Sequence, residues 1–412
     1  MNVEQMILDA EHSLRDAFAE VEKIEESRTR QVLDVFRSHE ISYRHFAPTT
    51  GYGYDDIGRD TLEKVWADLF HAEAALMRPH IASGTAALSL TLFGLTRPGD
   101  RILSVTGMPY DTLLGIIGTG ETTPPGSLKE MGVGFDCVEL KDGKIDLDAM
   151  EAAMRENTTL VIAQRSRGYA WRPSLMPEAF REVADRIHSR HPGVRLMVDN
   201  CYGEFVRELE PTDFGADVCV GSLIKNPGGG IAPTGGYVVG KADAVERVAW
   251  RLTAPGLGRE LGSYAGDYRP FYQGLFMAPH TVAQAVKTAL LAAKLFENLG
   301  MKVTPASSEK RADIIQAIEL QTPERLVAFC QGIQAASPVD SFALPEPWAM
   351  PGYEDPVVMA AGTFVAGASI ELSADGPMRA PYTAYMQGGL TYAHGRIAMA
   401  EALNRMIRKN AL

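Results

Sequence analysis

The sequence predicts an α/β fold, a large domain on a mostly parallel sheet followed by a smaller C-terminal α+β domain. Three observations predict it. From residue 61 to about 240, short apolar runs alternate with segments of helical periodicity, the pattern of strand–helix–strand units. After Lys241 the periodicity becomes helical and then mixed. Two apolar runs, L-M-V-D-N at 196–200 and V-C-V-G-S-L-I-K at 218–225, each deliver a charged residue as they end, Asp199 and Lys225. Open sheets of this class bind ligands outside the carboxyl ends of their strands.

Taken in order, residues 2–38 carry apolar residues at helical spacing without Pro or Gly and predict an N-terminal helix. Residues 46–60, F-A-P-T-T-G-Y-G-Y-D-D-I-G-R-D, form a Gly- and Tyr-rich loop, either site-forming or an ordinary surface turn. A helix over 61–70 and a strand over 74–77 follow. Ser83-Gly84-Thr85 then opens a helix reaching about residue 95. That start is either an anion cradle at a helix N-terminus or a plain Ser/Thr cap. Strands are expected at 101–105, 133–140 and 159–163, with helices at 111–117 and 147–155 between them. The segment Q-R-S-R-G-Y-A-W-R-P-S at 164–174 leaves its strand with Arg165, Arg167, Arg172, Tyr169 and Trp171. It reads as a site wall or as a solvated turn. A helix at 177–188, the Asp199 and Lys225 strands and a closing strand at 235–239 complete the sheet. A long amphipathic helix at 281–299 ends before Gly300, a natural stop. Beyond it come strands near 340–342 and 368–372 and helices near 323–337 and 388–408. The division is therefore 1–60 for the N-terminal helix and loop, 61–280 for the large domain, and 281–412 for the connecting helix and small domain.

An Asp and a Lys delivered to neighbouring strand ends suggest pyridoxal 5'-phosphate (PLP). Lys225 would form the Schiff base, and Asp199 would pair with the pyridinium nitrogen. A free lysine, at a reference pKa of ~10.4, is protonated and a poor nucleophile. Burial beside a cationic group is expected to free it. Spacing alone is met equally by a helix-capping Asp and a surface Lys.

Composition narrows the field. The 412 residues, 46% hydrophobic and 22% charged, suit an ordinary globular protein. A net charge of −12 gives neither nucleic acid nor an anionic membrane anything to attract. The four Cys show no CxxC pair and no zinc spacing, no metal-ligand cluster is visible, and this usage fits a reducing cytosol. The N-terminus is too charged for a signal peptide, and no run of about 18 apolar residues exists. A cytoplasmic location is expected. Two motif matches fail on context. G-x-x-x-x-G-K at 235–241 is followed by Ala242 where a phosphate loop needs Ser or Thr. Ser222-x-x-Lys225 lacks the partner motifs of penicillin-binding proteins.

Together, S-G-T (83–85), R-P-G-D (97–100), P-Y-D (109–111), V-D-N (198–200) and S-x-x-K (222–225) resemble the Cys/Met-metabolism group of PLP enzymes, which includes methionine γ-lyase and cystathionine β-lyase. The strings G-Y-G-Y-D-D-I-G-R-D (51–60), Q-R-S-R-G-Y (164–169), K-N-P-G-G-G (225–230), Y-Q-G-L-F-M-A-P-H (272–280) and I-E-L-S-A-D-G-P-M-R (370–379) are similar to its aluminium resistance protein branch. The likeness covers nearly the whole chain. It implies fold type I, bound PLP, and a carbon–sulfur lyase acting on a sulfur-containing amino acid. The alternatives are another PLP reaction on the same scaffold, such as aldol cleavage or transamination, or a weakly catalytic PLP-binding protein serving stress tolerance.

By position the resemblance implies that Lys225 carries the cofactor, Asp199 meets its ring nitrogen and Tyr110 stacks on its face. Ser83, Gly84, Thr85 and Ser222 would hold the phosphate. Tyr54 falls where the family supplies a phosphate ligand from a neighbouring subunit, with Arg59 standing in for an arginine that is replaced here by Asp56. Arg379 is the first candidate for the substrate carboxylate, with Arg165, Arg167 and Tyr52 also assigned to substrate. The family's Asn near the ring hydroxyl has no clear match. A homodimer or homotetramer with shared sites is implied.

Overall fold

The computed structural model describes residues 2–119, 123–350 and 355–412. The predicted N-terminal helix is two helices, α1 (Val3–Ser13) and α2 (Arg15–Ser38), broken at Leu14. The break lets one amphipathic segment serve two cores. Val3, Ile7 and Ala10 of α1 enter the small-domain core, and Val32 of α2 enters the large one.

The large domain follows with α3 (Ile57–Leu69), β1 (Ala74–Arg78), α4 (Gly84–Leu95), β2 (Arg101–Ser104), α5 (Asp111–Ile117), β3 (Gly134–Cys137), α6 (Leu147–Ala153), β4 (Thr158–Gln164), α7 (Ala179–Arg190), β5 (Arg195–Asp199), β6 (Val218–Ser222), β7 (Gly236–Gly240) and α8 (Ala242–Leu252). Among the described residues its strands form one seven-stranded sheet in the order β1-β7-β6-β5-β4-β2-β3. The strands from β6 to β3 run parallel, and β7 is antiparallel to both its neighbours, β6 and β1. The central strands read as unbroken apolar runs because both faces are covered. Val161 and Ala163 of β4 face one core cluster, and Leu160 and Ile162 face another.

Helix α9 (Arg269–Asn298) is 30 residues long and starts 12 residues earlier than its sequence signal. Pro279 lies inside it, which obscured the first turns. Its outer half packs in the large-domain core through Leu275, Val282 and Val286, and its far end in the small-domain core through Leu295 and Phe296. It thus runs across position 280 as the strut between the two cores.

The small domain holds β8 (Val303–Thr304), β9 (Gln316–Glu319), α10 (Pro323–Ala335), β10 (Val357–Ala360), β11 (Ser373–Pro377), β12 (Thr383–Gln387) and α11 (Tyr392–Arg408). Its sheet runs β10-β11-β12-β9-β8, antiparallel throughout. The strand expected at 340–342 is a turn closed by Ala343 N–H on Asp340 O, with Phe342 89% exposed. The strand expected at 368–372 lies one element too early. There Glu371 accepts from the N–H groups of Phe364 and Val365 and ties down a turn, and β11 begins only at Ser373. Among the described residues, no helix is long and apolar enough to cross a membrane.

Candidate active site

Parallel pairing brings the ends of β4, β5 and β6 side by side, with Gln164 opposite Asp199 and Asp199 opposite Val220. Beyond β6 the chain turns at once and presents Lys225, three residues after Ser222. Across from them α4 points its N-terminus at the same place. Ser83 caps it by accepting the N–H of Ala86 at 3.0 Å, so the cap reading of this motif is realised. Ser83, Gly84 and Thr85 also line the cavity, so the start of the helix lies where the anion reading would need it. Glycine is required at 84: a Cβ there would lie 2.9 Å from Ser222 Cβ and 3.6 Å from Cys201 Sγ. The cradle is closed by Thr85, whose hydroxyl is 3.2 Å from that of Tyr110. These groups line one cavity of about 970 Å³.

The electrostatics centre on a buried pair. Burial raises the Asp199 carboxyl pKa, while Lys225 and the Cys201 N–H, 3.1 Å from Asp199 Oδ1, oppose the rise. Burial works against the charge on Lys225, but the acidic groups around it, led by Cys201, Tyr202 and Asp199, outweigh burial and hold it well above the usual lysine range. This reverses the expectation of a cationic neighbour that frees the amine. The ammonium also lies 3.9 Å from the centre of the Tyr202 ring. Tyr110 is pushed up to about 12 by burial and by Asp199, so it stays a neutral phenol.

The small domain supplies the opposite wall. Ser373 and Asp375 of β11, and Tyr385 and Gln387 of β12, line the cavity, while the alternate residues Ala374, Ala384 and Met386 enter the small-domain core. Tyr385 donates to Tyr169 O at 2.7 Å, and their rings lie 5.1 Å apart.

Lys225, Asp199, Tyr110, Ser83, Gly84, Thr85 and Ser222 therefore meet in one place, as do Arg167 and Arg379. Arg167 is buried. Its Nη1 donates to Thr304 O at 2.9 Å, and its Nε and Nη2 have no partner. Arg379 stands about half exposed and pairs with Asp355 at 3.2 Å. Arg165 does not reach the cavity. It is fully buried beneath the sheet end, donating to Asn200 Oδ1 at 2.7 Å and Glu210 Oε2 at 3.3 Å, in a network that Arg28 joins from α2. Arg59 is corrected too. It is buried and off its own subunit's cavity wall, with Nε on Asp60 and Nη1 on the carbonyls of Gly53 (2.8 Å) and Gly262 (3.3 Å), so it braces the 51–60 loop from below. Tyr52 and Tyr54, 70% and 57% exposed, face outward away from their own cavity.

Sequence reasoning missed Tyr202, Cys201, Gln164, Asp375, Tyr385 and Gln387. Gln164 was readable as the last residue of its strand. Its Oε1 accepts the Tyr110 N–H at 3.3 Å, so it positions that ring.

The residues present fit PLP: a lysine, a carboxylate and an aromatic converge with a helix N-terminus whose approach only glycine allows. Comparison with known proteins agrees. The family model for methionine gamma-lyase matches residues 3–407, and the chain belongs to that family of PLP-dependent, carbon–sulfur-lyase-like proteins. The uncharacterized protein YnbB of Bacillus subtilis is 50% identical over 406 residues, 98% of this chain and 96% of its own length. The crystal structure of a carbon–sulfur lyase involved in aluminum resistance from Clostridium novyi is 47% identical, covers 98% of this chain and 96% of that one, and superposes with a TM-score of 0.94. A more distant structure, the PLP-dependent protein YhfS of Escherichia coli, has a TM-score of 0.60 at 20% identity over 93% of this chain and 97% of that one, and shows the shared fold type I alone.

Proposed function

We propose that the protein binds PLP through Lys225 and cleaves the carbon–sulfur bond of a small amino acid by β- or γ-elimination. The observation that carries this reading is the convergence of Lys225, Asp199, Tyr110 and the α4 N-terminus in one cavity. When bound, PLP supplies an electron sink for the charge that develops at the substrate's Cα. The chain does the rest. The first turn of α4, with Ser222, would hold the phosphate. Asp199 would keep the ring nitrogen protonated, and Tyr110 would cover the ring face. Lys225 Nζ, once a free amine, would take the Cα proton; among the described residues it is the only lysine lining the cavity. Arg167 replaces Arg379 as first choice for the substrate carboxylate, because its buried, unpartnered Nε and Nη2 offer the planar fork that carboxylates fit.

The loop at 51–60 supports a site completed across a two-fold dimer. It is rigid: a Cβ at Gly53 would lie 2.5 Å from Ser263 N, and Gly262 N–H donates to Tyr52 O at 3.0 Å. It presents Tyr52 and Tyr54 to the outside, where a second copy would receive them. Product analysis tests the lyase reading. Ammonia, a keto acid and a thiol in equal amounts from a sulfur-containing amino acid are the expected result. Release of an aldehyde, or amino transfer without ammonia, would overturn it.

A further inference from the structure

We propose that Asp375 selects substrates whose side chain, beyond the sulfur, ends in a protonated amine. The proposal rests on the lyase reading for where the substrate lies. Alternation along β11 turns Ser373 and Asp375 to the cavity, while Ala374 enters the core and a Cβ at Gly376 would meet Leu326. Asp375 is buried, and its Oδ1 has no hydrogen-bond partner. Tyr169 and Gln387 lie beside the carboxyl, the latter with its Nε2 donating to Ser373 Oγ at 3.2 Å; they do not offset burial, and the Asp375 pKa is pushed up to about 7.

The surroundings suit an ammonium. Asp375 stands opposite Tyr385 in the strand register, and Tyr385 stacks against Tyr169, so an aromatic wall adjoins the carboxylate. Carboxylate plus ring faces is the pairing that binds an alkylammonium. Among the described residues no salt bridge engages Asp375: Arg379 pairs with Asp355, and Arg167 Nη1 donates to Thr304 O. Oδ1 is already out of contact with water, so a side chain ending in methyl leaves it without a donor where an ammonium would supply one, and sites built to hydrogen-bond a substrate reject analogues that leave them unpaired. The groups around Asp375 are Tyr169 from the loop after β4, Tyr385 and Gln387 from β12 and, on the core side of the sheet, Cys330 of α10.

The test uses two probes of equal shape, S-(2-aminoethyl)-L-cysteine and S-propyl-L-cysteine. Turnover is measured with the PLP-loaded enzyme at pH 8, and affinity by calorimetry in the Lys225→Ala background, where turnover is blocked. The aminoethyl probe is expected to be favoured in both kcat/KM and Kd by about ten-fold or more, as for a charged hydrogen bond. Asp375→Asn is expected to bring both ratios to near one, by loss for the aminoethyl probe and some gain for the propyl probe. It should also raise the thermal midpoint more at pH 8 than at pH 5. A carboxyl raised to about 7 in the fold supports stability at low pH and loses that support as pH rises through 7, whereas a purely structural role predicts a lower midpoint at both. A wild-type ratio near one, equal loss for both probes, or failure of both to bind overturns the proposal. If neither probe is cleaved but the affinity ratio holds and collapses in Asp375→Asn, the Asp375 assignment stands and the lyase reading falls.

Discussion

Replacing Gly84 by Ala tests the phosphate cradle with one methyl group. The new Cβ would lie 2.9 Å from Ser222 Cβ, where ordinary contacts begin near 3.4 Å, so something must give by at least half an ångström. Neither side gives easily. Ser222 Cβ is fixed to the last residue of a buried strand, and Gly84 is the first residue of a helix whose cap is already bonded. The helix end must back away from the strand end, and the anion between them loses hydrogen-bond geometry. Overpacking of this kind costs about 1–3 kcal/mol, which corresponds to PLP binding weakened by ~5- to 150-fold. Titration of cofactor-stripped protein with PLP, followed by the absorbance of the bound cofactor, reads the change. If the motif were only a helix cap, Ala at the first helical position would leave affinity unchanged, since Ala is the better helix former. A Kd within two-fold of wild type would refute the cradle.

The two buried arginines separate cleanly. Arg167→Leu should raise KM for the substrate by at least about ten-fold while PLP still binds, as for a lost charged hydrogen bond. Arg165→Met should leave KM near wild type but lower stability by about 3 kcal/mol, because Glu210 and Asn200 lose a buried partner; denaturant melts and steady-state kinetics on both variants check the contrast. Asp199→Asn should keep PLP and lose most turnover, since the neutral amide cannot hold the ring proton; near wild-type turnover would remove Asp199 from the mechanism. Mixing Tyr54→Ala with Lys225→Ala subunits under exchange should restore up to about a quarter of wild-type sites, each heterodimer holding one intact pair. Activity no higher than that of the Tyr54→Ala homodimer would place the loop on its own subunit.

The large domain was legible because strands buried on both faces read as unbroken apolar runs, and because Asp199 and Lys225 stand where such runs end. Gly84 was legible through its Ser and Thr neighbours. The small-domain wall was not. Strands β11 and β12 turn Ser373, Asp375, Tyr385 and Gln387 to the cavity, so half of each strand is polar and S-A-D-G-P reads as a loop. The more apolar A-S-I-E-L beside it attracted the strand assignment instead. Arg165 and Arg167 share one short polar segment, and only the fold reveals that Glu210 draws the first below the sheet while the second enters the site. The bracing role of Arg59 was hidden for the same reason, since its carbonyl partner Gly262 is distant in sequence.

The covalent seat of the cofactor is the most direct test. Borohydride reduction of the PLP-loaded protein, followed by peptide mapping, is predicted to find one pyridoxyl group per chain, on the peptide carrying Lys225, and none after Lys225→Ala. A label on Lys241 or another lysine, or no label on a protein that retains PLP, would contradict the account.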